Sequence, residues 1–312
     1  FQSFQLFKYT MKNFYIITIV SIIIATIYFS LNCKHWRCTK VKIEGYKFYQ
    51  SYLEKKNDIN NCNISNIKNL NKNSILIIGH AYGKKENIFI NDNEFLDKRI
   101  IDVIKKEKNN IDMVIFNGDI FYKPSKKKWS SLISFFSDLN IRLYIAPGNH
   151  DIKFYDNEEF SKNLFTKYFD LEYPKILKFK NFDLVIRDSI NMGWSPKKKE
   201  INLINNILKE KNLIIIQHHT AFNELRFLTN DKAINRTKAN NKIINLDTFT
   251  ESLNNKKKLT FLIGDAGIND HYKPIECKTK HNLKYIINGL GGRINDKIII
   301  IDKKYIYSYN LV

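Results

Sequence analysis

An α/β fold is what this 312-residue sequence predicts, and three observations carry the prediction. Short apolar runs recur between polar or Gly-containing residues, amphipathic stretches lie between several of them, and chemistry-bearing side chains follow the runs immediately. The runs are Ile75 to Ile78, Met113 to Phe116, Leu143 to Ala146, Leu184 to Ile186, Leu213 to Ile216 and Leu259 to Ile263. Unbroken apolar segments of this length, bounded by turn residues, fit strands of a sheet covered on both faces. Between them, Glu94 to Lys106, Trp129 to Leu139 and Lys199 to Glu210 carry apolar residues three and four apart, the spacing of a helix with one buried face. The tail differs. Tyr285 to Asn288, Lys297 to Asp302 and Tyr305 to Leu311 are strand-like, and Gly289 to Gly292 and Asp302 to Lys304 separate them, which predicts a β-meander without helices. With no internal repeat or low-complexity linker, residues 74–312 read as one folded domain.

What precedes it reads differently. Phe14 to Asn32 carries no charged side chain, and at about 1.5 Å per residue such a helix just spans a hydrocarbon core. Residues 14–32 are therefore expected to form one N-terminal transmembrane helix or signal anchor, which makes the membrane a partner. Met11-Lys12-Asn13 resembles a start and a short basic leader, so residues 1–13 read as an extension. Residues 33–73, polar and Asn-rich, read as a stalk or covering segment. No small-residue cleavage site is evident, which favours an uncleaved anchor. Export of the domain to a periplasmic or other extracytoplasmic space is the expectation, although Lys34, Arg37, Lys40 and Lys42 after the span pull towards the cytoplasmic side.

Lys and Arg outnumber Asp and Glu by 51 to 31, a net charge of +20. The excess is scattered in small groups such as Lys126 to Lys128 and Lys256 to Lys258, and the wealth of Asn, Lys and Ile is what an AT-rich genome produces unaided. Nucleic acid is thus a disfavoured partner, although a basic field attracts any phosphate. Four cysteines without a C-x-x-C pair exclude a zinc knuckle; a disulfide is compatible with them but not indicated.

Polar residues follow the strands in a consistent way. Gly79-His80-Ala81-Tyr82-Gly83 follows the first, Gly118-Asp119 the second, Gly148-Asn149-His150-Asp151 the third, Gln217-His218-His219 a later one, and Gly264-Asp265 the last before the tail. Loops at the carboxyl edge of a sheet converge, so these groups are expected to meet. Taken singly, each has a plainer reading as a turn, a cap or a hydrogen-bonded core histidine. Their order at successive strand ends argues for a site. Carboxylate, imidazole and amide oxygen together suit divalent Mn, Fe or Zn, and one Asp can bridge two ions that clamp a phosphate.

This order resembles the calcineurin-like metallophosphoesterase superfamily, which includes the purple acid phosphatases and runs D-x-H, G-D, G-N-H-D/E, a strand-end His, then G-H-x-H. The resemblance covers Ile75 to Val312 and implies a four-layer α/β/β/α sandwich. It implies a bridging role for Asp119, a side-chain oxygen ligand in Asn149, and charge stabilisation or leaving-group protonation by His150, with Asp151 orienting His150 through its second ring nitrogen. His218 stands where the family has its mid-chain ligand, with His219 beside it as the alternative.

Two motifs depart from the pattern. His80-Ala81-Tyr82 stands for D-x-H, and Gly264-Asp265-Ala266-Gly267 for G-H-x-H. Asp119, Asn149, His218 and Asp265 would still complete one site. The other would keep His80 and Asp119, with Tyr82 or Tyr122 as possible further ligands. The resemblance implies one or two divalent ions and a hydrolase of phosphoric esters, in which metal-bound water attacks phosphorus while His150 assists the leaving group. A non-catalytic module of the same fold that binds a phosphorylated ligand, and a nuclease, are the alternatives.

Overall fold

The computed structural model describes residues 51–52, 55, 58–83, 95–152, 158–222, 224–225, 245–253, 257–265, 274–303 and 305–311. The expected anchor at 14–32 lies outside the described residues; among those described, no helix is long and apolar enough to cross a membrane. A compact unit spanning Asn57–Val312 holds every element below.

The architecture is a mixed α/β fold built on two sheets. In chain order the strands are β1 (Asn60–Asn61), β2 (Asn66–Ile67), β3 (Ser74–Ile78), β4 (Ile111–Phe116), β5 (Arg142–Ile145), β6 (Lys175–Lys178), β7 (Phe182–Ile186), β8 (Asn212–Gln217), β9 (Leu259–Ile263), β10 (Ile275–Lys280), β11 (Leu283–Asn288), β12 (Lys297–Asp302) and β13 (Tyr305–Asn310). The helices are α1 (Lys98–Glu107), α2 (Lys126–Asp138), α3 (Asn149–Ile152), α4 (Glu158–Thr166), α5 (Lys198–Glu210) and α6 (Leu246–Glu251). One sheet runs β2-β13-β12-β3-β4-β5 and the other β1-β10-β11-β9-β8-β7-β6. The neighbours β3-β4-β5 and β7-β8-β9-β11 are parallel.

Side-chain alternation explains why the strands read as unbroken apolar runs. Ile75 and Ile77 of β3 and Met113 and Ile115 of β4 point between the sheets, where they meet Leu184, Ile186, Ile214, Ile216 and Leu262. Leu76, Ile78, Val114 and Phe116, one position on, point the other way and pack with Ile100 and Ile104 of α1 and Trp129, Leu132 and Phe136 of α2. On the second sheet, Phe261 and Tyr285 join Phe249 of α6 and Phe222 in an aromatic cluster. The helices begin where caps are offered: Asp97 accepts from the Arg99 amide at 3.0 Å and Ser125 from the Lys128 amide at 3.2 Å. These caps move the first two helices from their expected starts at Glu94 and Trp129.

Two expectations change. The tail is not a single meander but two hairpins in different sheets: β10 pairs antiparallel with β11, and β12 with β13. Gly289 to Asp296 carries the chain across. The Gly-rich segment reads as a turn in the sequence, and β10 gives no strand signal there because its residues IECKTK alternate too weakly. The folded unit also reaches back beyond Ser74. β1 pairs with β10 and β2 with β13, one on an edge of each sheet, and Cys62 between them forms a disulfide with Cys277 of β10, Cα atoms 5.0 Å apart.

Candidate metal centre

The parallel strands of both sheets deliver their carboxyl ends to one place. The His80 amide donates to Gly118 O and the Asn117 amide to Ile78 O, each at 3.0 Å, joining the loops after β3 and β4. The Gly264 amide donates to Gln217 O and the Asp265 amide to His218 O, each at 3.1 Å, joining those after β8 and β9. Backbone approaches this close require glycine. A Cβ at Gly118, whose φ is +95°, would overlap the His218 ring; one at Gly148 would overlap the Asp119 carboxylate, and one at Gly264 the Asn117 carbonyl. His80 and Asp119 themselves adopt positive φ, 49° and 56°, a strained conformation that clusters at functional loops.

Asp119 lies at the centre, and its two oxygens face different partners. Oδ1 is 3.5 Å from His218 Nε2, while Oδ2 is 3.8 Å from His80 Nε2 and 4.0 Å from His150 Nε2. On the Oδ1 side, His218 Nε2 is also 4.0 Å from Asp265 Oδ1, and His218, His219 and Asp265 each bring one ligating atom within 4.8 Å of the others. Asn149 opens α3, half-buried, between the two residues that touch Asp119: Gly148 by its close backbone and His150 by an amide that donates to Oδ1 at 3.0 Å.

The hydrogen bonds assign the tautomers. His218 Nδ1 is 3.2 Å from Asn117 O, an acceptor only, so Nδ1 carries the proton and the Nε2 lone pair faces the two carboxylates. Buried Nε2 of His218 and both ring nitrogens of His80 have no hydrogen-bond partner among the described residues. Acceptor lone pairs gathered around carboxylates without a donor are costly in a dry interior, and a divalent cation is what such a donor set satisfies. The residues present therefore fit one or two ions shared through Asp119.

The electrostatics agree. Burial drives the His80 imidazole down to about 3, against the charge of Asp119, and burial likewise holds His219 well below its ordinary value. Both are neutral, the state a metal ligand needs. Burial pushes Asp119 up, but the His218, His150 and His80 rings prevail and hold it at about 2. The Tyr82 phenol is raised by burial and then by Asp119 and Asp265, so it stays protonated.

Three expected roles are redrawn. Asp151 does not orient His150: the partner of His150 Nδ1 is Tyr122 O at 2.9 Å. The Asp151 carboxylate instead accepts the amides of Gly148 at 2.9 Å, Asp119 at 2.8 Å and Ile120 at 3.0 Å, tying the loops after β4 and β5 together. Tyr82 directs its hydroxyl to His150 Nε2 at 3.3 Å, and Tyr122 offers the site its carbonyl, with its ring 5.3 Å from that of His150. His218 and His219 both bring a ring nitrogen near Asp265, because β8 ends at Gln217 and the strand alternation expected to point them apart has ceased. Ala266 and Gly267 of the last motif lie outside the described residues.

The sequence reading missed the loop after β7. Ser189 Oγ is 3.1 Å from His219 Nδ1, and the Trp194 ring stacks on His219 at 4.6 Å and 7°. Their position beyond Leu184 to Ile186, another carboxyl strand end, was the available signal.

A calcineurin-like phosphoesterase family model matches residues 88–289. The chain is 32% identical over 114 residues to a protein named "Probable cyclic nucleotide phosphodiesterase" from Vesicomyosocius okutanii subsp. Calyptogena okutanii (strain HA), a match covering 35% of this chain and 46% of that relative. It is also similar to a solved structure of a conserved uncharacterized protein, a predicted phosphoesterase, from Streptococcus pneumoniae TIGR4, at 12% identity and a TM-score of 0.30 over 77% of this chain and 88% of that one. With a family model matched over most of its length, the chain belongs to the calcineurin-like phosphoesterase family.

Proposed function

We propose that this protein hydrolyses phosphoric esters at a divalent-metal centre built on Asp119. The observation that carries the reading is the split of that carboxylate, one oxygen towards His218, which also faces Asp265, and the other towards His80 and His150. His80, Asp119, His218 and Asp265, with Asn149 beside them, would hold the ion or ions; Mn, Fe and Zn suit these donors. When bound, such ions supply Lewis acidity towards a phosphoryl oxygen and a water acidic enough to be nucleophilic near neutral pH.

The chain's own residues do the rest. Tyr122 O fixes the His150 proton on Nδ1 and leaves Nε2 beside Tyr82 Oη. In its protonated form His150 would carry a second proton on Nε2, which it would give to a departing alkoxide and so return to the neutral ring, while Tyr82, kept neutral because burial disfavours its anion, orients Nε2. The Asp151 bonds to three amides keep the Asp119 and His150 loops in register. The α/β/β/α layering of the resemblance is the architecture proposed around this centre, its two sheets meeting through Ile75, Ile77, Ile214 and Ile216.

The name of the curated relative makes cyclic nucleotides the first diesters to test, although the match spans about half that relative's length. The test is metal content together with hydrolysis of aryl phosphate mono- and diesters and cyclic nucleotides, by the wild type and Asp119→Asn. A wild-type protein that takes up no metal, or takes it up and hydrolyses none of the panel, would refute the reading. We further propose that the domain resides outside the cytoplasm. The Cys62–Cys277 disulfide supports this, since such bonds persist in oxidising compartments, as does the uncharged stretch at 14–32.

A further inference from the structure

Resting on the metal-centre reading above, we infer that His219 is a direct ligand of the same ion as His218 and Asp265, so that two consecutive imidazoles and a carboxylate face one cation. The three side chains are buried and each brings a ligating atom within 4.8 Å of the other two. Two donors about 2.1 Å from one ion stand roughly 3.4 Å apart, so the cluster closes on a cation with shifts of about an ångström. Ending β8 at Gln217 makes this geometry available to adjacent residues, and the rings of His218 and His219 meet edge to face at 4.7 Å.

His219 is oriented as a ligand is oriented. Ser189 Oγ accepts from the His219 amide at 3.1 Å and lies 3.1 Å from its Nδ1; with Nδ1 engaged, Nε2 is the nitrogen left for a metal. Trp194 stacks flat on the ring. The stack is fixed from behind: Gln217 Nε2 donates to Trp194 O at 2.8 Å and to His219 O at 2.6 Å. The Gln217 oxygen is held by Arg187 Nη1, and the Arg187 fork is bound by Glu200 at 2.7 and 3.1 Å. A hydrogen-bond partner on the distal ring nitrogen is the usual support of a ligating histidine. Two imidazoles on one ion also select Zn or Fe over Mg and Ca.

The test loads the full chain with cadmium-113 after 15N-histidine labelling and measures scalar coupling to imidazole nitrogens. It is paired with chelator-competition affinities for zinc in wild type, His219→Ala, Ser189→Ala and, as control, His281→Ala on the exposed β10–β11 turn. Expected are coupling to His219 Nε2, a zinc affinity at least 100-fold weaker in His219→Ala, a 10- to 100-fold loss in Ser189→Ala, and no change in His281→Ala. Cadmium coupling to His218 without coupling to His219, or zinc affinity unchanged in both site variants, overturns the inference and leaves the metal centre standing. A wild-type protein that binds neither metal overturns both.

Discussion

Replacing Asp151 separates a structural carboxylate from a catalytic one. Its oxygens accept three backbone amides, from Gly148, Asp119 and Ile120, and the side chain is fully buried. Burial, and after it the neighbouring Asp119, push the Asp151 carboxyl up to about 7, so each bond is taken at the neutral value of about 0.5–1.5 kcal/mol net, and each buried amide left unpaired costs about 1–3 kcal/mol. With some relief from entering water, Asp151→Ala is expected to cost about 4 kcal/mol, a large fraction of a typical total of about 5–15 kcal/mol. Asp151→Asn keeps one oxygen and turns its amide towards a backbone donor, at a cost of about 2 kcal/mol. For a unit of this size, about 2–4 °C per kcal/mol applies, so melting should fall by about 8–16 °C and 4–8 °C. Calorimetry of the metal-free protein, read beside aryl phosphate hydrolysis with saturating Mn, is the assay. The structural reasoning fails if Asp151→Ala melts within about 2 °C of wild type yet loses hydrolysis with a changed pH–rate profile, because Asp151 would then be acting on the chemistry through His150.

Further outcomes follow from the same geometry. Gly118→Ala must place a Cβ on the His218 ring at a φ of +95°; strain alone is about 1–2 kcal/mol, so both a lower melting temperature and weaker zinc binding are expected by calorimetric titration. The metal-free protein should lose stability on acidification. The folded His80 pKa of about 3 lies below its ordinary 6.5, so the unfolded chain alone binds the proton between these values, and stability present above pH 6.5 drains away as pH falls. By pH 4.5 the loss from His80 is about 3 kcal/mol, readable as a drop in urea midpoint that His80→Gln lessens by that share, the buried His219 contributing in the same direction. Cys277→Ser opens a loop with a sequence separation of 215 residues, and loss of about 2–5 kcal/mol is expected, matched in wild type by reductant.

The sequence carried the central strands and the Asp119–His150 pairing because their signals are local. Ile75 to Ile78 and Leu259 to Ile263 are buried on both faces and so apolar throughout, and Gly118 and Gly148 mark turns that only glycine permits. Roles that depend on direction were hidden. Whether Asp151 faces an imidazole or three amides is decided by the turn into α3, which leaves no pattern in residue types. Ser189 and Trp194 become relevant only once β7 and β8 lie side by side in parallel. β10 stayed unread because Lys278 and Lys280, both buried, occupy positions where an apolar residue would have signalled a strand; Lys278 meets Asn61 at 2.6 Å and Lys280 meets Asp247, partners invisible at that distance in the chain.

The short strands β1 and β2 lie at the ends of the two sheets. Each caps the open rim of a different sheet, on β10 and on β13, and the bond from Cys62 to Cys277 keeps the first in place. Unshielded rims are templates on which other chains add strands. A shortened protein beginning at Ser74 would bare both rims at once and leave Cys277 a lone thiol beside one of them. Such a fragment should self-associate, first by strand addition and then, in air, by covalent dimers through Cys277, so residues 58–73 act as a guard of solubility for the fold.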